Sequence, residues 1–103
     1  MMPSGMLVVQ SRPSSPEEAV DYHRWYVDVH MPEMLKVDGV VSARRLEAID
    51  GGSFLAVYEI DGEVAKAKEA LTEALRSGSM SRPVGLQLDP PPTMQWFRDM
   101  GES

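Results

Sequence analysis

The sequence predicts an α+β domain whose elements run β-α-β-β-α-β. Three observations carry that prediction. Short apolar runs rich in β-branched residues recur at 5–11, 40–49, 53–60 and 93–100. A serine-proline pair, Ser15-Pro16, opens a helical pattern directly after the first run. Asp50-Gly51-Gly52 then stands between the second and third runs, where a tight hairpin needs residues that tolerate positive φ.

Each element follows from its local chemistry. GMLVVQS, residues 5–11, is a strand closed by the turn cluster RPSSP. Ser15 can cap the helix that follows, Pro16 fits its first position, and Glu18 stands three residues on to complete a capping box. This helix should run to about residue 31 and fray towards Lys36, with Asp38-Gly39 as its exit. VVSARRLEAI is the second strand, with imperfect alternation, and SFLAVYEI is the third. Asp61 should cap a second helix that carries Val64, Ala67, Leu71, Ala74 and Leu75 on one face and stops at Gly78. Residues 79–92 read as a long irregular segment, with VGLQL as a short strand inside it and three prolines at its end. TMQWFRDM closes the chain as the last strand.

This order is the ferredoxin-like split arrangement, four antiparallel strands with two helices on one face, and it fills residues 1–103 as one domain. Two helices cover one sheet face only. Whether Phe54, Ala56, Tyr58 and Ile60 point to the open face or Leu55 and Val57 do, an apolar surface is left, and a homodimer formed sheet to sheet would hide it.

Composition narrows the function classes. A formal charge of −6, with ten scattered basic residues, argues against nucleic acid as a partner. No apolar run approaches the ~20 residues of a membrane span, and MLVV lacks the basic flank of a signal peptide, so the chain reads as cytoplasmic and without a membrane partner. With no cysteine there are neither disulfides nor thiolate chemistry. The eight methionines suit an irregular organic ligand and an ordinary core equally.

HRWYVDVHMPEML, residues 23–35, holds both histidines. At ~100° per residue, Ala19, Tyr22, His23, Tyr26, Val27, Val29 and His30 share one sector facing the sheet, with Trp25 on its flank and Asp21, Arg24 and Asp28 opposite. The histidines are two turns, or ~10.5 Å, apart, too far to share a metal ion as an i, i+4 pair does. Two imidazoles flanking a tyrosine can instead line a small-molecule pocket, where histidine exchanges protons near neutrality. Ordinary packing, with each imidazole bonded to a carbonyl or a hydroxyl, accounts for them as well. Pro32 should kink or end the helix and push the residue before it away from helical angles, leaving His30 at the break.

DYHRWYVDVHMPEMLKVDGVVSARR, residues 21–45, resembles the motif of the ethyl tert-butyl ether degradation (EthD)-like group in Trp25, Tyr26, His30, Pro32, Leu35, Gly39, Ala43 and Arg45. LAVYEI, residues 55–60, is similar to the third strand of that group. The resemblance implies a dimeric α+β barrel of two ferredoxin-like protomers, each with a ligand pocket between helices and sheet. His23 departs from it, standing where the group has Asn or another polar residue. The wider superfamily spans cofactor-free monooxygenases, polyketide cyclases, dehydratases, dehalogenating enzymes and haem-degrading proteins.

Together these readings lead to an enzyme that needs no cofactor and acts by acid/base chemistry on a small organic substrate, aromatic or polyketide-like. Its reaction would be of monooxygenase, cyclase or dehydratase type. His30 is the expected acid/base, and Arg45 the expected holder of an anionic oxygen or enolate, with an ion pair to Glu47 or Glu59 as its structural alternative. His23, Tyr26 and Trp96 are the expected substrate contacts. A non-catalytic ligand-binding dimer and a haem-binding protein are the other two readings.

Overall fold

The structure, a computed structural model, describes residues 3–101. Its elements are β1 (Gly5–Ser11), a 3₁₀ turn (Pro16–Glu18), α1 (Ala19–Trp25), a π-helical turn (Tyr26–His30), α2 (Met31–Met34), β2 (Val40–Glu47), β3 (Phe54–Ile60), α3 (Val64–Arg76) and β4 (Thr93–Arg98). The strands pair antiparallel in the order β2-β3-β1-β4, so the two outer strands are those that follow a helix in the chain. This is the ferredoxin-like α+β arrangement that the element order predicts.

Cross-strand register assigns each side chain to a face. Leu7 stands opposite Tyr58 and Trp96, and Val9 opposite Ala56 and Met94. Leu7, Ala56, Tyr58 and Ile60 are buried, so these rows face the helices. The alternate rows, holding Met6, Val8, Leu46, Leu55, Val57 and Phe97, face away from them. Leu55 and Val57 therefore supply the open face, and Phe54, Ala56, Tyr58 and Ile60 the covered one.

The imperfect alternation of the second strand has a physical cause. Val40 pairs with Ile60 but Ser42 pairs with Glu59, so Val41 is an extra residue in a β-bulge and lies exposed. A slip of one residue exchanges the faces of a strand. Without the bulge, buried Val40 would put Ser42, Arg44 and Leu46 on the helix side; with it, Ala43, Arg45 and Glu47 take that side, in register with Tyr58, Ala56 and Phe54.

The predicted caps are met in part. Ser15 Oγ accepts from the N–H of Glu18 at 3.2 Å, and Pro16 opens the helical segment. Asp61 does not cap the second helix: its carboxylate accepts from the N–H of Gly62, and Glu63 is the residue that precedes α3. α3 buries Ala67 and Leu71, with Val64, Ala70 and Ala74 packed alongside. In the hairpin, Gly51 and Gly52 take φ of 81° and 88°, and the N–H of Ala48 donates to Ser53 O at 3.0 Å.

VGLQL does not form a strand. It makes one antiparallel bridge, Pro13 with Leu86, flanked by Ser14 N–H to Gly85 O at 2.7 Å and Gln87 N–H to Arg12 O at 3.0 Å. Prolines on both sides of it remove the donors a longer ladder would need. Residues 79–92 thus form a strap across one end of the sandwich. Gly85 stitches it down: φ is +69°, and an added Cβ would lie 2.9 Å from the Glu18 carbonyl oxygen and 3.1 Å from the Tyr22 nitrogen.

Gly85→Ala should therefore destabilise the fold through both backbone strain and crowding, by about 2–4 kcal/mol. Gly62→Ala has φ +78° but open space around it, and should cost only the backbone part, about 1–2 kcal/mol. Urea unfolding of the two variants measures the difference, and equal losses would show that the strap is not closely seated.

Candidate active site

The helical segment from Pro16 to Met34 does not keep one period. Between Tyr26 and Met31 it widens by a residue, and the N–H of Met31 reaches back five positions to Tyr26 O. Five residues on a regular helix lie ~140° apart around the axis; in the wider turn, residue i comes to lie over residue i+5. Trp25 and His30 accordingly stack, ring centroids 4.5 Å apart at an interplanar angle of 21°. Trp25, expected on the flank, is only 6% exposed, whereas Val27, expected to be buried, is 59% exposed. Pro32 falls in the first turn of α2, where a missing N–H costs little. Met31 before it keeps helical angles (φ −62°, ψ −44°), contrary to expectation, because the widened turn absorbs the disturbance.

Trp25, Tyr26 and His30 form one wall of a cavity of about 180 Å³. Leu7, Val9 and Met94 form its floor on the sheet, Met34, Leu71 and Leu75 come from the helices, and Met80, Ser81, Pro83, Leu86 and Pro92 come from the strap. His30 has no hydrogen-bond partner among the described residues, and its Nδ1 is buried. Burial lowers its pKa to about 4, with the Glu33 carboxylate opposing that shift, so the imidazole is neutral at physiological pH. The rings of Tyr26 and Tyr58 meet His30 edge-on, at 5.2 and 6.4 Å. Tyr58 Oη and Trp25 Nε1 are also buried without partners, and burial raises the Tyr58 pKa.

A second cluster packs against Tyr26 outside the cavity lining. The Arg45 guanidinium stands 4.3 Å from the Tyr26 ring centre and 5.3 and 5.4 Å from those of Tyr22 and Phe54. Its Nη1 donates to His23 Nδ1 at 3.0 Å, while its Nε and Nη2 are buried and unpartnered. The expected ion pair is absent among the described residues: Ser42 donates to Glu59 at 2.6 Å, and Arg45 has no carboxylate within salt-bridge distance. Since a guanidinium only donates, His23 Nδ1 must accept. Desolvation and then the nearby Arg45 charge lower the His23 pKa, with Glu47 acting against them. Ser11, the buried polar residue at the end of β1, anchors the tyrosines by bonds to Tyr22 Oη at 2.7 Å and Tyr26 Oη at 3.2 Å.

Of the residues singled out from sequence, then, His30 and Tyr26 share the cavity wall. His23 and Arg45 pair with one another beyond the Tyr26 ring. Trp96 packs on the core beside Leu7 and borders a different depression, with Ser4, Val64 and Phe97. Sequence reading does not single out Trp25, Ser11 or Tyr58 as site residues. Trp25 was recoverable from the proline that signals a disturbed helix; Ser11 and Tyr58 carry no local signal, because their roles arise only across the sheet. No group of three or more His, Cys, Asp or Glu gathers as metal ligands among the described residues, and no helix there is long and apolar enough to cross a membrane.

No family model and no curated protein matches the sequence. Solved structures do match in shape. Rv0793 from Mycobacterium tuberculosis is 18% identical, with a TM-score of 0.56 over 97% of this chain and 99% of its own. The monooxygenase ActVA-Orf6 of Streptomyces coelicolor, solved in complex with nanaomycin D, gives the same identity and TM-score over 97% of this chain and 91% of its own. An EthD family protein from Bacillus halodurans matches at 14% identity and a TM-score of 0.47, over 93% and 99% of the two chains. The likeness to Rv0793 and to ActVA-Orf6 is one of fold: this chain is a small ferredoxin-like α+β domain.

Proposed function

We propose that the chain is a small-molecule enzyme that holds an organic substrate in the cavity between helices and sheet and uses His30 for proton transfer without a cofactor. The observation that carries this reading is His30 itself, a neutral, unpartnered imidazole on the wall of a largely apolar cavity. A buried polar group without a partner is costly in a fold that has no use for it, and here a ligand can supply the partner. At neutral pH the ring is in its basic form, ready to accept a proton from a substrate hydroxyl or an activated C–H. Its low pKa lets it return that proton in a later step. Tyr26 lines the substrate, and Arg45, packed against the Tyr26 ring outside the cavity lining, holds that ring in place. Sharing a fold with a monooxygenase solved with nanaomycin D agrees with monooxygenase, cyclase or dehydratase chemistry on an aromatic or polyketide-like substrate.

The protomer is further proposed to work as a homodimer. Met6, Val8, Leu46, Leu55, Val57 and Phe97 form a continuous apolar surface on the uncovered sheet face, flanked by Arg44 and Glu59. A second copy presenting the same surface covers it. A low His30 pKa also suits a non-catalytic binding protein, and the variants below separate the two readings.

Any turnover found on a panel of small hydroxylated aromatics should fall at least about a hundredfold in His30→Ala, with the circular dichroism spectrum retained. His30→Gln should bind the same compounds but not convert them. Unchanged turnover in either variant removes His30 from the chemistry, and a wild type that binds but never converts supports the non-catalytic reading.

Sedimentation equilibrium at micromolar concentration should give twice the mass of the chain, and Val57→Arg should give the mass of one chain. A monomeric wild type would contradict the proposed assembly.

A further inference from the structure

Resting on the reading of the cavity as the substrate site, we infer that the site takes its substrate as an uncharged, mainly hydrocarbon molecule with one polar edge turned to His30, and rejects carboxylates and phosphates. The wall carries no Lys, Arg, Asp or Glu. Its polar side chains are already accounted for apart from two: Tyr26 Oη bonds Ser11, and Ser81 Oγ donates to Glu33 at 2.6 Å, leaving His30 and its stacking partner Trp25 unpartnered. The neutral state of His30 removes the one cation the wall might have offered.

Charges outside the wall do not reverse this. Glu33, held by two bonds from Ser81, is the carboxylate whose charge bears on His30, and it repels an anion. The Arg45 guanidinium is not part of the cavity lining: it packs on the Tyr26 ring and is engaged with His23. A carboxylate in the cavity would be desolvated with no counter-charge beside it. A hydroxyl or carbonyl, in contrast, finds in His30 a partner that can act as donor or acceptor according to its tautomer. At about 180 Å³ the cavity is smaller than the roughly 300–1,000 Å³ of drug-sized sites, so the buried part of the substrate is of one- or two-ring size.

The test compares three two-ring probes, naphthalene, 2-naphthol and 2-naphthoate, by Trp25 fluorescence in a Trp96→Phe background, with calorimetry as a check. At pH 7, 2-naphthol should bind about tenfold tighter than naphthalene, and 2-naphthoate at least about a hundredfold weaker than 2-naphthol. The naphthoate affinity should rise as pH falls and the acid becomes neutral. His30→Phe keeps a ring on Trp25 and should abolish the preference for naphthol over naphthalene. Naphthoate binding at pH 7 as tightly as naphthol would overturn the inference while leaving the cavity as a binding site. Failure of all three probes to bind would overturn the reading of the cavity itself.

Discussion

The widened turn between Tyr26 and Met31 is the constraint on which the site depends, because it decides which side chains of the first helical segment meet. On a regular helix Trp25 and His30 would point in different directions. With one extra residue in the turn, they stack, and the imidazole is held between an indole on one side and the Tyr26 edge on another. The same turn relieves the segment of the backbone bond that Pro32 cannot make, so a proline that should break the helix is carried inside it. A ring fixed this way is largely buried, and burial is what keeps it neutral and leaves its Nδ1 without a protein partner.

β2 uses the equivalent device in extended form. The bulge at Val41 re-aims every residue after it and delivers Arg45 to the covered face, where three aromatic rings receive it. Tyr26 is where the two devices meet. Its ring carries the guanidinium on one face, stands perpendicular to the His30 ring, and has its hydroxyl held by Ser11. The strap completes the enclosure, pinned at Gly85 by close backbone approach and at Ser81 by Glu33. β1, the first helical segment, α3, the strap and β4 together line one small cavity.

Most of the fold is legible in the sequence because its signals are local. Ser15-Pro16, Asp50-Gly51-Gly52, the apolar stripe of α3 and the strand runs each report their own conformation. His30 and Tyr26 are legible too, as polar and aromatic residues on an inward sector. The wheel fails at Trp25 and Val27 because it assumes a single period, and the alternation of β2 fails at Val41 for the same reason: one inserted residue resets the phase. Ser11, Tyr58 and the strap residues are not legible, since their place at the site depends on register across strands and on one bridge between Pro13 and Leu86. Trp96 is misplaced by sequence reasoning because an aromatic on an edge strand can lie at either end of the sheet.

The central claim, a largely buried and neutral His30 facing a ligand site, is tested most directly by an NMR titration of the chain carrying ¹⁵N-labelled histidine. There are two histidines, and His23→Asn assigns the signals. The His30 ring should stay neutral until about pH 4. Folding then favours the unprotonated ring, so stability should decline as pH falls from about 6.5 towards 4. Addition of 2-naphthol should shift the His30 nitrogen signals at neutral pH. A ring that titrates near 6.5 and ignores the added ligand would mean that His30 sits in water, and would contradict the account.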